Sequence, residues 1–444
     1  MKRKIGIIDE SNFMSLINRF LCEGHHVVAY SETKAKYFRQ EDILELNGKH
    51  TGTYTILGAG ENDSKEECIK ELNTCDFVVD GSIQPKDIAN RDYVITVPCI
   101  KNTAEAQKLE YSRLFANEFI SKVSNLKIIP TTKYDTEDSI TEGIKTLDLS
   151  KKFCLRAGDD NEENLGYFRT IIVEGSDLEK KSKQLMKDGK GSILIQPFIE
   201  GTETAFSSFF DGKEFRLPFF PNYEHKYAWD KNLGGILTEE VGTVHFSSYN
   251  TDSVMWKILK EIEYYFRETS YCGWVDINTI LNDEGMNFLE FTIRFGRPTL
   301  EEFMASYTCD LGNLFYTMLT HKDIDEKPTE GKIVTSVCTF TYGYPWVDYS
   351  DMEMETTLHG ICEANKICNV QQFWSTAGKN RDTLLCTWNE RSAVFNGVGD
   401  TVEEGIEQVY KALKHIFGFT QVYRFDIGEG CQEKIEFLKE NNIC

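Results

Sequence analysis

The sequence predicts a mixed fold, α/β at the N-terminus and α+β beyond it, and three observations carry that expectation. Strand and helix signals alternate through residues 1–110. Antiparallel-type strands with hairpin signals follow, and a last strand-rich stretch closes on a helix.

In the first segment KIGIID (4–9) is a short apolar run and NFMSLINRFL (12–21) has helical periodicity, while HHVVAYS (25–31), CDFVVDG (75–81) and DYVITV (92–97) are β-rich. Strands separated by helical segments predict a parallel sheet with crossover helices. The turn after Ile8 reads DESNF. It lacks the glycines that let a phosphate approach the backbone, and Asp9 and Glu10 oppose an anion or simply cap the next helix, so a dinucleotide fingerprint fails here. AEAQKLEYSRLFANEFISKV (104–123) is an amphipathic helical stretch with Leu109, Phe115 and Phe119 on one side. Beyond it β-type runs alternate with one helix near 177–188, and Asp211-Gly212 and Asn282-Asp283-Glu284-Gly285 are hairpin turn signals. Residues 331–427 return to strands and end in the helix VEEGIEQVYKALKHIF, a third, small α/β unit.

Composition narrows the function classes. The 444 residues carry 49 Lys+Arg against 71 Asp+Glu, a net charge of -22 that repels a phosphate backbone and argues against a nucleic-acid polymer as partner. With 41% hydrophobic and 12% aromatic residues a packed core is assured. No apolar run approaches the ~18 residues of a membrane span, and the first apolar run stops at Asp9, unlike a signal peptide. The 13 cysteines form no close Cys-x-x-Cys pair, which fits reduced thiols in the cytoplasm.

Chemistry concentrates in FLEFTIRFGRPTLEEF (288–303). Strand alternation puts Glu290, Thr292 and Arg294 on one face and Phe291, Ile293 and Phe295 on the other. A carboxylate, a hydroxyl and a guanidinium in one row suit a cleft holding Mg²⁺ and an anionic group. LGGIL (233–237), preceded by EHKYAWDKN (224–232), combines paired glycines with His225, Lys226 and Lys231. QPFIEGTE (196–203) is an apolar edge followed by acids.

In order and spacing, these segments resemble the phosphoribosylamine–glycine ligase family of ATP-grasp enzymes, from about residue 1 to about 430. The anchors are KLEYSRLFANEF (108–119), QPFIEGTE, the EHK and LGG pair, YCGWVD (271–276), EFTIRFGRP (290–298), YGYP (342–345), GDTVEEGIEQVY, and YRFDIG (423–428). The resemblance implies an N-terminal Rossmann-like unit (1–103), an ATP-grasp body (104–328) with a lid around 130–200, and a C-terminal α/β unit (329–444). It implies ATP with Mg²⁺, or Mn²⁺, as cofactor. Partners would be an amino acid and a phosphorylated amine, and the chain would be a monomer or homodimer.

Carried over residue by residue, the resemblance puts Gln196, Pro197, Phe198 and Ile199 at the adenine edge, with Glu203 facing ribose or a nearby lysine. Arg113 and Arg156 stand where the family has phosphate-facing lysines, and Glu290 with Thr292 would hold the metal. Lys226 and Arg294 are the expected catalytic cations. Asp9, Glu10, Glu224, His225, Gly234, Gly235, Arg294 and Arg297 would line the substrates. The departures are marked. The glycine-lysine-glycine lid is replaced by GDDNEENLGYFRT (158–170), where Asp159, Asp160, Glu162 and Glu163 have the wrong sign for a polyphosphate clamp and Gly166 and Arg169 would stay near the nucleotide. Thr292 replaces an asparagine, Arg297 an aspartate, and DESNF the loop that holds phosphoribosylamine. Three readings follow: a ligase of altered acceptor, an ordinary phosphoribosylamine–glycine ligase of purine biosynthesis, or a non-enzymatic binding or scaffold member. The Lys, Asn, Ile and Tyr usage points to an AT-rich source such as a viral genome.

Overall fold

The computed structural model describes residues 1–8, 13–30, 41, 43–58, 64–82, 88–89, 91–157, 171–187, 191–229, 237–322, 332–341, 344, 356–373, 375–386, 391–418 and 421–444. The N-terminal strands are β1 (Lys4–Ile8), β2 (His26–Tyr30), β3 (Thr53–Leu57), β4 (Phe77–Asp80) and β5 (Cys99–Ile100). They form a parallel sheet in the order β3-β2-β1-β4-β5, as the strand–helix alternation predicts. The helix Met14–Cys22 packs Met14, Ile17, Phe20 and Leu21 under this sheet. DYVITV is not a sheet strand. The Asn73 side chain accepts from the Thr96 N–H and donates to the Val94 carbonyl, so it binds backbone that a neighbouring strand would otherwise pair.

The stretch 104–123 is two helices, Ala104–Tyr111 and Arg113–Val123. Ser112 breaks the run in an extended conformation, and its hydroxyl accepts from the Phe115 N–H as an N-cap. Two sheets follow. The smaller is β7 (Thr132–Tyr134), β10 (Ile193–Pro197), β8 (Lys152–Ala157) and β9 (Ile171–Glu174), in that order, and its apolar face packs on the helices Glu137–Ile144 and Leu178–Leu185. The larger is ten-stranded. Its spine is β12 (Phe220–Tyr227), β11 (Thr202–Phe210), β14 (Gly273–Asn282) and β15 (Gly285–Thr292), closed at one edge by β6 (Lys127–Ile128). Both hairpin signals lie at turns. Asp211 accepts from the Lys213 and Glu214 N–H groups while Gly212 takes a φ of +92°, and Gly285 takes +114° where β14 turns into β15.

The C-terminal strands extend this same sheet rather than standing apart. β13 (Leu237–Phe246) pairs with β16 (Ile333–Thr341), which pairs with β21 (Arg391–Gly399), and β18 (Asn369–Gln372) lies beyond. One face of the large sheet packs Phe206, Tyr223, Val244, Val275, Ile277 and Phe291 against the helix Val254–Glu268 and its neighbours. The opposite face packs Phe209, Phe220 and Trp274 against the N-terminal unit at one end, and its polar remainder carries the candidate site. No helix among the described residues is long and apolar enough to cross a membrane.

Candidate ligand-binding cleft between two sheets

Register places the site. Ala205 pairs with Asn222 and with Asn278, and Asn278 pairs with Glu290. Period-2 alternation then sets Glu203, Glu224, Lys226, Asp276, Asn278, Glu290 and Thr292 on one face. Across from them the smaller sheet presents Cys154, Arg156, Leu194 and Gln196. Their sequence neighbours Phe153, Leu155, Ile193 and Ile195 point the other way, into that sheet's own core.

Glu290 joins the two sheets. Its Oε2 accepts from Arg113 Nη2 at 2.5 Å and from Arg156 Nη2 at 2.8 Å. Its Oε1 lies 3.5 Å from Lys226 Nζ. Arg113 reaches it because the break at Ser112 makes it the first residue of its helix. Burial alone would raise the Glu290 carboxyl, but Arg156, Lys226 and Arg113 together hold it well below the usual range. Lys226 is a second hub, with Glu203 at 2.6 Å, Glu224 at 3.0 Å and the Asn278 amide oxygen at 3.2 Å. Its burial would favour the neutral amine, yet three carboxylates hold it protonated well above the ordinary value.

The predicted residues do not all converge here. Gln196 is buried and donates to the Thr131 hydroxyl at 2.8 Å, with Pro197 ending β10 beside it. The Phe198 N–H donates to the Lys152 carbonyl, so among these main-chain groups it is already engaged. Glu203 faces the lysine of the two partners considered for it. His225 does not join the cluster. Alternation along β12 turns it to the opposite face, where its Nε2 lies 3.9 Å from Cys431 Sγ. Arg294 points toward the N-terminal sheet, salt-bridged to Glu110 at 3.0 Å, and shares a small pocket with Phe13, Asp80, Lys101 and Asn102. Arg297 sits a turn further on, held at 2.5 Å by the fully buried Glu301 and with Ser15 at 3.3 Å, so its charge is matched internally. Asp9, Glu10, Gly234, Gly235, Lys231 and the acidic segment 158–170 lie outside the described residues.

Sequence reading missed several neighbours. Asn278 and Asp276 alternate with the apolar Val275 and Ile277 on β14, a polar row legible in GWVDINTIL. Glu240 on β13 and Glu302 on the helix Thr299–Ser306 come from segments with no such pattern, and only packing brings them in. As a donor set Glu290, Asn278 and Thr292 offer a carboxylate, an amide and a hydroxyl oxygen. Such hard ligands suit Mg²⁺ with phosphate oxygens completing its shell. Arg113, Arg156 and Lys226 supply three positive charges in reach of that shell, which suits a polyphosphate.

Two sheets that close on a charged cleft define the ATP-grasp class, and residues 113–300 match the model of the phosphoribosylglycinamide synthetase ATP-grasp (A) domain. Within that class the chain is a distant homologue of phosphoribosylamine–glycine ligases. It is 23% identical over 328 residues to the phosphoribosylamine–glycine ligase of Lactococcus lactis, covering 73% of this chain and 76% of that one. With the Fusobacterium nucleatum enzyme it is 22% identical over 406 residues, covering 87% and 86%. The crystal structure of phosphoribosylamine–glycine ligase from Thermotoga maritima superposes with a TM-score of 0.69 at 18% identity, over 96% of this chain and 100% of that one, and so shares the fold. These relatives are bacterial and lend no support to a viral source.

Proposed function

We propose that the protein is an ATP-dependent carboxylate–amine ligase that joins a small amino acid to an amine acceptor other than phosphoribosylamine. The observation that carries this reading is Glu290. This carboxylate from the larger sheet is gripped by Arg113, by Arg156 of the smaller sheet and by Lys226. The chemistry drawn on is transfer of a phosphoryl group from Mg-ATP to a carboxylate, whose acyl phosphate an amine then displaces. Glu290, with Asn278 and Thr292, would hold the metal. Arg113 and Arg156 would leave Glu290 for the phosphate oxygens and stabilise charge there without reorganising water. Lys226, already fixed by Glu203 and Glu224, would stand at the transferred group, and Arg294 would orient the acceptor from the side of the N-terminal sheet. The adenine would lie at the end of β10 and just beyond it, along Gln196, Pro197, Phe198 and Ile199.

The test is ADP release by the full chain over a panel of amino acids, with phosphoribosylamine and with other primary amines. Turnover with glycine and an amine other than phosphoribosylamine is the expected result. Efficient turnover with glycine and phosphoribosylamine alone would restore the ordinary ligase. Absence of Mg-ATP binding at millimolar concentration would leave a non-enzymatic member.

A further inference from the structure

Beside Lys226 the polar face of the large sheet holds an unusual group of acids. Glu224 (β12), Glu240 (β13), Asp276 (β14) and Glu302 (helix Thr299–Ser306) have side chains at most 6% exposed. Burial, with their mutual repulsion, raises Glu240 and Glu302 well above the usual carboxylate range. Polar groups around them lack partners. Both amide atoms of Asn222, the Thr243 hydroxyl and both ring nitrogens of His245 are buried without a hydrogen bond. Register sets them on the same face, since Asn222 pairs with His245 and Glu224 with Thr243. His245 Nδ1 stops 3.7 Å from Glu302, beyond hydrogen-bond reach. Burying such orphans is costly, so a group of them held together on rigid strands calls for an occupant that would satisfy them. A bare ion fits poorly. Among the described residues the one set of acid and histidine ligand atoms within 4.8 Å of each other is Glu23, His25 and Asp310, at the far end of the N-terminal sheet.

We propose that this cluster is the seat of the acceptor's cationic amine end, an organic ammonium carrying its own N–H donors. The idea rests on the ligase reading and names the acceptor class for it. An ammonium brings three donors and a positive charge to a place rich in acceptors, where four acids share Lys226 as a neighbouring cation, whereas a phosphate there would face those four acids. Glu224 lies 3.0 Å from Lys226, so an amine held at this cluster lies next to the cation expected at the reacting centre.

The experiment is calorimetric titration of the full chain, with and without Mg-ADP. The probes are putrescine, which carries two ammonium groups and no phosphate, and 1,4-butanediol, its neutral counterpart. Putrescine should bind at low millimolar concentration or better and the diol should not. Asp276→Asn and Glu240→Gln should each weaken putrescine at least tenfold while leaving Mg-ADP affinity within twofold. These substitutions keep shape and remove a buried charge, and thermal melting verifies that each variant folds. No heat with putrescine at 50 mM in either state, or equal binding by the Asp276→Asn protein, overturns the amine seat. If that happens while Mg-ADP still binds, the ligase reading stands. Loss of Mg-ADP binding in the wild-type protein strikes the ligase reading instead.

Discussion

Replacing Glu290 with glutamine separates what this carboxylate does for the fold from what it does for chemistry. At an effective dielectric of about 20, each arginine contact is a gross attraction of about 6 kcal/mol, which desolvation of the three groups largely offsets. Removing one partner of a buried pair typically costs about 3–5 kcal/mol because the other charges stay behind. With the Glu290 side chain 26% exposed, the lower end, about 3 kcal/mol, is expected. The sign with pH follows from its depressed pKa. The carboxylate's contribution is fully present above the ordinary value of 4.5 and is lost as pH falls through the lower folded value. The gap in stability between wild type and Glu290→Gln should therefore be constant from pH 6 to 8 and close in acid. Chemical denaturation at a series of pH values measures it, and ADP release measures turnover, expected to fall by at least a thousandfold. Wild-type kcat in the variant would refute the metal assignment. A gap that persists unchanged at pH 3 would refute the ion-pair account of its stability.

Two further outcomes follow from the same geometry. Arg156→Ala should raise the KM for ATP at least tenfold, because the smaller sheet loses the guanidinium that would move from Glu290 to the phosphate oxygens, and Arg156→Lys should recover only part since the fork geometry is lost; steady-state kinetics check both. The acid cluster makes stability fall as pH rises. Burial lifts Glu224 from 4.5 to about 6 and raises Glu240, Asp276 and Glu302 well above their ordinary values, so these four groups bind more protons folded than unfolded once pH rises through the ordinary carboxylate range. Glu240→Gln should flatten that decline and be the more stable protein at pH 8, as read from melting temperatures across the range.

The sequence by itself determined the elements and much of the chemistry. Period-2 alternation in FLEFTIRF put Glu290 and Thr292 on one face before any contact was known, and the turn residues at Asp211-Gly212 and Asn282–Gly285 marked both hairpins, because these signals are local. The resemblance to phosphoribosylamine–glycine ligases rests on the same kind of local anchors, kept in order. What only the tertiary structure decided depends on strand register and packing. His225 and Lys226 are adjacent in the chain, yet β12 sends them to opposite faces, and only its pairing shows which face holds Glu290. Arg297 is expected beside a ligand, and only packing shows that its guanidinium also lies 2.5 Å from Glu301. Glu240, Asp276 and Glu302 come from segments dozens of residues apart and carry no shared pattern. They become a group because two strands and one helix bury them together, and burial is what makes their charge costly enough to mean something.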